Sequence, residues 1–281
     1  MELRFAKFDP SGNTTILVLD PVPRESHAAL AQTLMRATDL CAEQVGFLET
    51  GENGAAARLQ MMGGEFCGNA SRCLAAYLAA GTANPTGRAN DAAGSSVVAI
   101  EVSGHRGFLE AAVTTLGPHR WDVSIDMPLP QAVLSGHDAR LGDYSMVPFE
   151  GILHLVLWDR EAEESLVRFG LDFLAASGLP ADTCGILFYD SRVSFLTPVV
   201  AVGAVRSLVY EQSCGSGTVA VGAALSERTG RPVEGLRVVQ PGGVLTVSVD
   251  RTDRITAARL SGPIRLAAEG RAFVEDIEVN T

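Results

Sequence analysis

The chain has 281 residues, enough for one large domain or for two lobes that each bury a core. Apolar residues make up 47% and charged residues 20%, the balance of a soluble globular protein, and no uncharged apolar run reaches the roughly eighteen residues that a membrane span needs. A net charge of −11 without any basic run argues against nucleic acid or an anionic membrane as a partner.

Read in chain order, the N-terminal MELRFAKFDP is charged throughout and has no apolar segment, so no secretion signal is expected. Residues 14–19 (TTILVL) predict a strand, 27–40 a helix, and 69–80 a second helix rich in alanine. Residues 81–96 are a Gly-, Asn- and Ser-rich surface loop, followed by strands at 97–102 and 121–125. The second half predicts strands at 152–157, 199–202, 205–209, 236–239 and 245–249, with helices at 161–169 and 217–228. Many strands and few helices indicate an α+β fold with mostly antiparallel sheets. Five cysteines, an odd number without a secretion signal, read as reduced thiols in the cytoplasm.

The halves repeat. Cys67-Gly68-Asn69-Ala70-Ser71 opens one small-residue helix and Cys214-Gly215-Ser216-Gly217-Thr218 opens the other. A glycine turn follows each, at Ser103-Gly104 and at Pro241-Gly242-Gly243, and a glycine-led strand precedes each, from Gly12-Asn13 and from Gly151-Ile152. So long a spacing fits duplicated lobes and no solenoid. The first lobe is expected over 1–117 and the second over 118–265, with a strand near 266–281 returning to the first.

Each unit sets a cysteine at or just before a helix start. The unpaired N–H groups and the macrodipole there favour negative charge, which lowers a thiol pKa from its usual ~8.5 toward neutrality. The same donors can cradle a substrate carboxylate, with Gly68, Asn69, Gly215 and Ser216 leaving room. Removing an α-proton from an amino acid pushes charge into that carboxylate, where fixed donors stabilise the transition state. One thiolate can take the proton and the other thiol can return one to the opposite face, inverting the centre. Cys41, Cys73 and Cys184 read as small buried apolar residues. The spacing of Cys67 and Cys73 fits no zinc pattern and no paired histidines accompany them, so no metal is expected.

These residues resemble the diaminopimelate epimerase superfamily over nearly the whole chain. Lys7, Gly12, Asn13 and Asp20 look like its opening strand, and Cys67-Gly68-Asn69 with Arg72 and Cys73 like its first cysteine block. Tyr210-Glu211 with Cys214-Gly215-Ser216-Gly217 looks like its second, and Pro241-Gly242-Gly243 and Leu260-Ser261-Gly262-Pro263 like its closing motifs. The resemblance implies two pseudo-symmetric lobes, each a barrel-like sheet around a central helix, with the active site in the cleft between them. It also implies catalysis by Cys67 and Cys214 with no cofactor and no metal. Asn13 and Asn69 match substrate-contacting positions, Glu211 is placed to hold the α-ammonium, and Glu43 and His154 are further candidates for substrate contact.

The chain also departs from the epimerases. Where they hold the distal end of diaminopimelate with Asn, Asn and Arg, it reads Ile152, Gly185 and Gln212, and Gly63-Gly64-Glu65-Phe66 replaces their pattern ahead of the first cysteine. A zwitterionic distal end would lose partners worth roughly 1–3 kcal/mol each. The loss implies an apolar, enlarged far end suited to a different amino acid, and these features are similar to the histidine racemases of staphylopine-type metallophore pathways. The expected protein is a cytoplasmic amino-acid racemase, compatible with a homodimer, with L-histidine as leading substrate and Glu43 as imidazole partner. Diaminopimelate epimerisation is the nearest rival. A lyase or non-racemising isomerase, and a binding protein, are disfavoured because neither needs both thiols.

Overall fold

The structure is a computed structural model and describes residues 1–52, 54–81, 95–179, 181, 183–202 and 207–275. The chain divides into two compact units, one made of residues 1–125 and 261–281 and the other of 126–260. The turn at 118–119, between the strands Phe108–Gly117 and Arg120–Asp126, lies inside the first unit.

In the first unit the strands are β1 (Glu2–Asp9), β2 (Thr15–Val18), β3 (Gln44–Glu49), β4 (Ala57–Met61), β5 (Ser95–Val102), β6 (Phe108–Gly117) and β7 (Arg120–Asp126). Helix α1 (His27–Met35) lies between β2 and β3, and α2 (Gly68–Ala79) between β4 and β5. In the second unit β8 (Leu134–Asp138) and β9 (Gly142–Phe149) lead into β10 (Ile152–Trp158), α3 (Glu164–Ala176), β11 (Thr183–Asp190) and β12 (Phe195–Val202). Then come β13 (Ser207–Tyr210), α4 (Gly215–Thr229), β14 (Val233–Gln240), β15 (Gly243–Arg251) and the long β16 (Ile255–Phe273), whose second part belongs to the first unit.

The two units repeat one topology. β1–β2 and β9–β10 are antiparallel, β2–β3 and β10–β11 parallel, β3–β4 and β11–β12 antiparallel. After the cysteine-led helix, β4–β5 and β12–β14 are parallel, and β5–β6 and β14–β15 antiparallel. In the first unit the order runs β1 to β7 and on to β16, which pairs back with β1, so the ring of eight strands closes and leaves no edge. The fold is α+β and mostly antiparallel.

The strand patterns follow from what covers each face. β7, RWDVSID, alternates buried and half-exposed residues because only its inner face is packed. β2 and the body of β10 are buried on both faces. Ile16 and Val18 join Leu30, Ala31 and Leu34 of α1 in one cluster, and Leu153, Leu155 and Leu157 join Leu166, Val167 and Leu174 of α3 in another. The alternate residues of β10, His154 and Val156, therefore point to the other face, toward α4. α2 and α4 are buried nearly all round, which is why their sequences are Ala-, Gly- and Ser-rich: small side chains let strands approach a central helix closely.

Several elements differ from the sequence reading. α1 stops at Met35, and α3 covers Glu164–Ala176 instead of 161–169 because the apolar stripe Leu166, Val167, Gly170, Leu174 sets its span. Residues 95–96 belong to β5, while 82–94 of the expected loop, 205–206 of one expected strand and the end of the expected C-terminal strand lie outside the described residues. Among the described residues no helix is long and apolar enough to cross a membrane.

Candidate active site

Cys67 and Cys214 are the N-cap residues of α2 and α4, with nearly equal backbone angles: φ −133°, ψ 110° and φ −119°, ψ 111°. Each Sγ accepts from the amide three residues on, Ala70 or Gly217, at 3.4 Å. Each cap carbonyl accepts a hydroxyl at 2.7 Å, from Ser71 Oγ or Thr218 Oγ1. The hydroxyls tie the first turn of each helix to its cap. Gly217 sits in a tight space, where a Cβ would lie 3.2 Å from Cys214 Sγ and 3.0 Å from Leu187.

The two sulfurs differ in their further surroundings. Cys67 is half-buried, and its Sγ donates to Gln44 Oε1 at 2.7 Å. Cys214 is buried at 6% exposure, its Sγ lies 3.6 Å from Ser216 Oγ, and its backbone N–H donates to Gln240 Oε1 at 2.8 Å. Gln240 Nε2 in turn donates to Thr218 Oγ1 at 2.9 Å. Burial and then the charge of Glu211 raise the Cys214 thiol well above its usual range, while bonds from Ser216 and Gly217 pull it back. Neither Gln44 nor Gln240 was picked out by sequence reasoning. The only available signal was a glutamine at the start or end of a strand flanking each cysteine block.

The remaining expected residues fall as follows. Asn13 is 1% exposed and follows a tight turn in which Ser11 and Gly12 both have positive φ, 67° and 91°. Asn69, in the first turn of α2, accepts from Arg72 Nη2 at 2.7 Å. Gly68 and Gly215 are buried as the first helical residues, and Ser216 is half-exposed. Glu43 is half-exposed just before β3; burial and then Asp9 raise its carboxyl, and its backbone N–H donates to Thr14 O at 2.9 Å. Lys7 Nζ holds the carbonyls of Leu40 and Cys41 at 2.8 and 2.9 Å, fixing the segment that leads into Glu43 and Gln44.

Two expectations need correction. His154 does not face solvent: it is fully buried, and its Nε2 bonds Ser216 Oγ at 2.9 Å, the hydroxyl that lies 3.6 Å from Cys214 Sγ. Burial holds its pKa down to about 3, so the ring is neutral. Gly185 does not enlarge a pocket either. In the parallel β10–β11 register it lies beside His154, and a Cβ on it would come within 2.2 Å of His154 Nδ1. The missing side chain is the space that the imidazole fills. Cys73 is wholly buried with its thiol pushed far up, Cys184 is half-buried, and Cys41 is exposed rather than buried, at a turn where its φ is 50°. Among the described residues no group of three or more His, Cys, Asp or Glu could hold a metal ion.

Solved structures share this fold. The chain aligns with a hydroxyproline epimerase of Agrobacterium vitis at TM-score 0.68 and 13% identity, covering 98% of this chain and 93% of the other. It aligns equally with a PhzF-family phenazine biosynthesis protein of Bacillus anthracis, at TM-score 0.68, 14% identity and coverage of 98% and 100%. These likenesses show a shared fold. Within it, the chain belongs to the histidine racemase CntK N-terminal domain family, whose model matches residues 2–273. Curated relatives named histidine racemase are 32% identical over 97% of both chains in Fusobacterium nucleatum, and 27% identical over 97% of this chain and 98% of the other in Staphylococcus aureus.

Proposed function

We propose that this protein is a histidine racemase that works without a cofactor, through proton transfer by Cys67 and Cys214 at one Cα. The observation that carries the chemistry is the duplicated cap: two thiols with the same backbone angles, the same amide donor and the same hydroxyl brace. Whichever sulfur is a thiolate removes the α-proton, and its electron pair moves into the substrate carboxylate. The first-turn amides of α2 and α4 are the donors that hold that charge. The opposite thiol then gives its proton to the other face, and the two sulfurs finish with their protonation exchanged. Glu211 is assigned to the substrate ammonium, and Asn13 and Asn69 to its carboxylate end.

Histidine is the substrate that the named relatives support. In this chain Glu43 is the group assigned to the imidazole, because its half-buried carboxyl can meet an N–H at the end of a segment pinned by Lys7. Ile152 and Gln212 carry no charge for a distal carboxylate, which weighs against diaminopimelate. The work is assigned to the cytoplasm, where thiols stay reduced, in a protein compatible with a homodimer.

The deciding experiment incubates the purified protein with a panel of L-amino acids and LL-diaminopimelate in D₂O, read by chiral chromatography and mass spectrometry. Histidine should be inverted fastest, with deuterium at Cα of the product, and neither a chelator nor added pyridoxal phosphate should alter the rate. Efficient inversion of diaminopimelate without activity on histidine, or inversion without solvent deuterium, would reject the proposal.

A further inference from the structure

The two helix starts match in backbone but not in charge. Five residues after Cys67 comes Arg72; five after Cys214 comes Val219. Arg72 is wholly buried, and of its guanidinium only Nη2 has a hydrogen-bond partner, Asn69 Oδ1 at 2.7 Å. Nε and Nη1 have none. Helical side chains lean toward the N-terminus of their helix, so the guanidinium folds back beneath the first turn of α2, where Asn69 and the cap lie. An arginine does not shed its charge at accessible pH. A cation sealed there with two unused donors is costly unless an anion forms nearby.

The other ionisable groups around this position are few. Cys73 adjoins Arg72 on α2, Asp122 acts on it from β7, and Asp9 acts on Cys73 from β1. Glu43 precedes Gln44, the partner of Cys67. Of the two sulfurs that act on Arg72, Cys73 is buried and its thiol pushed far up, so it stays protonated, which leaves Cys67 as the sulfur able to become an anion. At α4 the position of Arg72 is apolar, and the nearby charge is the carboxylate of Glu211, which opposes a Cys214 thiolate.

From this asymmetry we infer that Arg72 is a positioning residue that makes Cys67 the thiolate of the resting enzyme and leaves Cys214 as the protonated partner. It rests on the two-thiol reading above and adds the order in which the thiols act. Arg72 does so in two ways. Its charge favours the anion at the head of α2, and its bond to Asn69 Oδ1 fixes which side of the Asn69 amide is the acceptor and which the donor. Gln44 serves both states of Cys67: Oε1 accepts from the thiol, and half a turn of the amide offers Nε2 to the thiolate.

The test is alkylation of the substrate-free protein by iodoacetamide from about pH 5 to about pH 10, with peptide mass mapping to give a midpoint for each cysteine. A midpoint reports the ionisation of each sulfur, whereas a rate also carries how easily the reagent reaches it. Cys67 should titrate below Cys214. Arg72→Met should raise the Cys67 midpoint and slow its alkylation at neutral pH about tenfold, leaving the Cys214 midpoint in place. Arg72→Lys should keep the order. A Cys214 midpoint at or below that of Cys67 in the wild type would overturn the inference, and so would a folded Arg72→Met whose Cys67 midpoint is unmoved. If Arg72→Met does not fold, the wild-type order and Arg72→Lys decide. Because the readout needs no turnover, this can fail while racemisation stands, and the converse.

Discussion

Gly185 and His154 show how one missing side chain specifies another. Their strands run parallel in a register that sets them side by side, and the ring of His154 lies where a Cβ on Gly185 would be. Phe149 closes the other side with an edge-on contact at 5.9 Å. The neutral ring then holds Ser216, which lies beside Cys214. Gly185→Ala should therefore destabilise the fold by about 1–3 kcal/mol, as overpacking does, and should slow turnover by displacing Ser216. The cause can be isolated with a double-mutant cycle: in a His154→Ala background the alanine at 185 should cost almost nothing. Additive losses, measured by urea denaturation, would show that the two residues do not share this space. The sequence alone made Gly185 look like a lost substrate anchor, because nothing in it told which residue of the neighbouring strand fills the gap.

At the scale of elements, the caps separate folding from chemistry. Serine is among the best N-cap residues and accepts from the same amide as the cysteine sulfur does. Cys67→Ser and Cys214→Ser should thus unfold within about 1 kcal/mol of the wild type, yet each should keep less than about a hundredth of its turnover, since a hydroxyl is a poor proton donor and its anion is out of reach at neutral pH. Thermal denaturation and chiral chromatography on the same samples check both halves. Loss of structure in either variant, or substantial activity, would contradict the assignment. The cap motifs were legible in the sequence because cysteine, glycine and the bracing hydroxyl lie within five residues of one another. Gln44 and Gln240 were not, as they reach their cysteines from 23 and 26 residues away, through strand pairing that no local pattern encodes. The polar strands β8 and β9 and the charged β1 escaped for a different reason: their apolar periodicity is weak.

For the whole molecule, the repeated topology places buried titratable groups in both units, and their sum shapes stability against pH. His27 in the first unit stacks on Phe47 with ring centroids 3.6 Å apart, and burial lowers its pKa. His154 in the second is held at about 3. Both are bases favoured as neutral in the fold, so above the unfolded value near 6.5 they contribute no pH dependence. Below it the unfolded chain takes up protons that the native chain refuses. Stability should then fall by about 1.4 kcal/mol for each pH unit below 6.5 from His154 alone. Glu43 acts in the opposite sense: its carboxyl is raised, so ionisation above its unfolded value costs the fold, and acidification returns that loss only near pH 4.5 and just above. On the alkaline side Cys73 and Cys214 are raised by burial, which makes the unfolded chain the first to lose their protons, and stability declines again above about pH 9. Urea midpoints measured across this range should trace a dome whose acid limb begins near 6.5. His154→Gln, which replaces the ring with a neutral amide, should flatten that limb while leaving the alkaline one unchanged. An acid limb equally steep in His154→Gln would mean that the buried imidazole is not what the molecule loses on acidification.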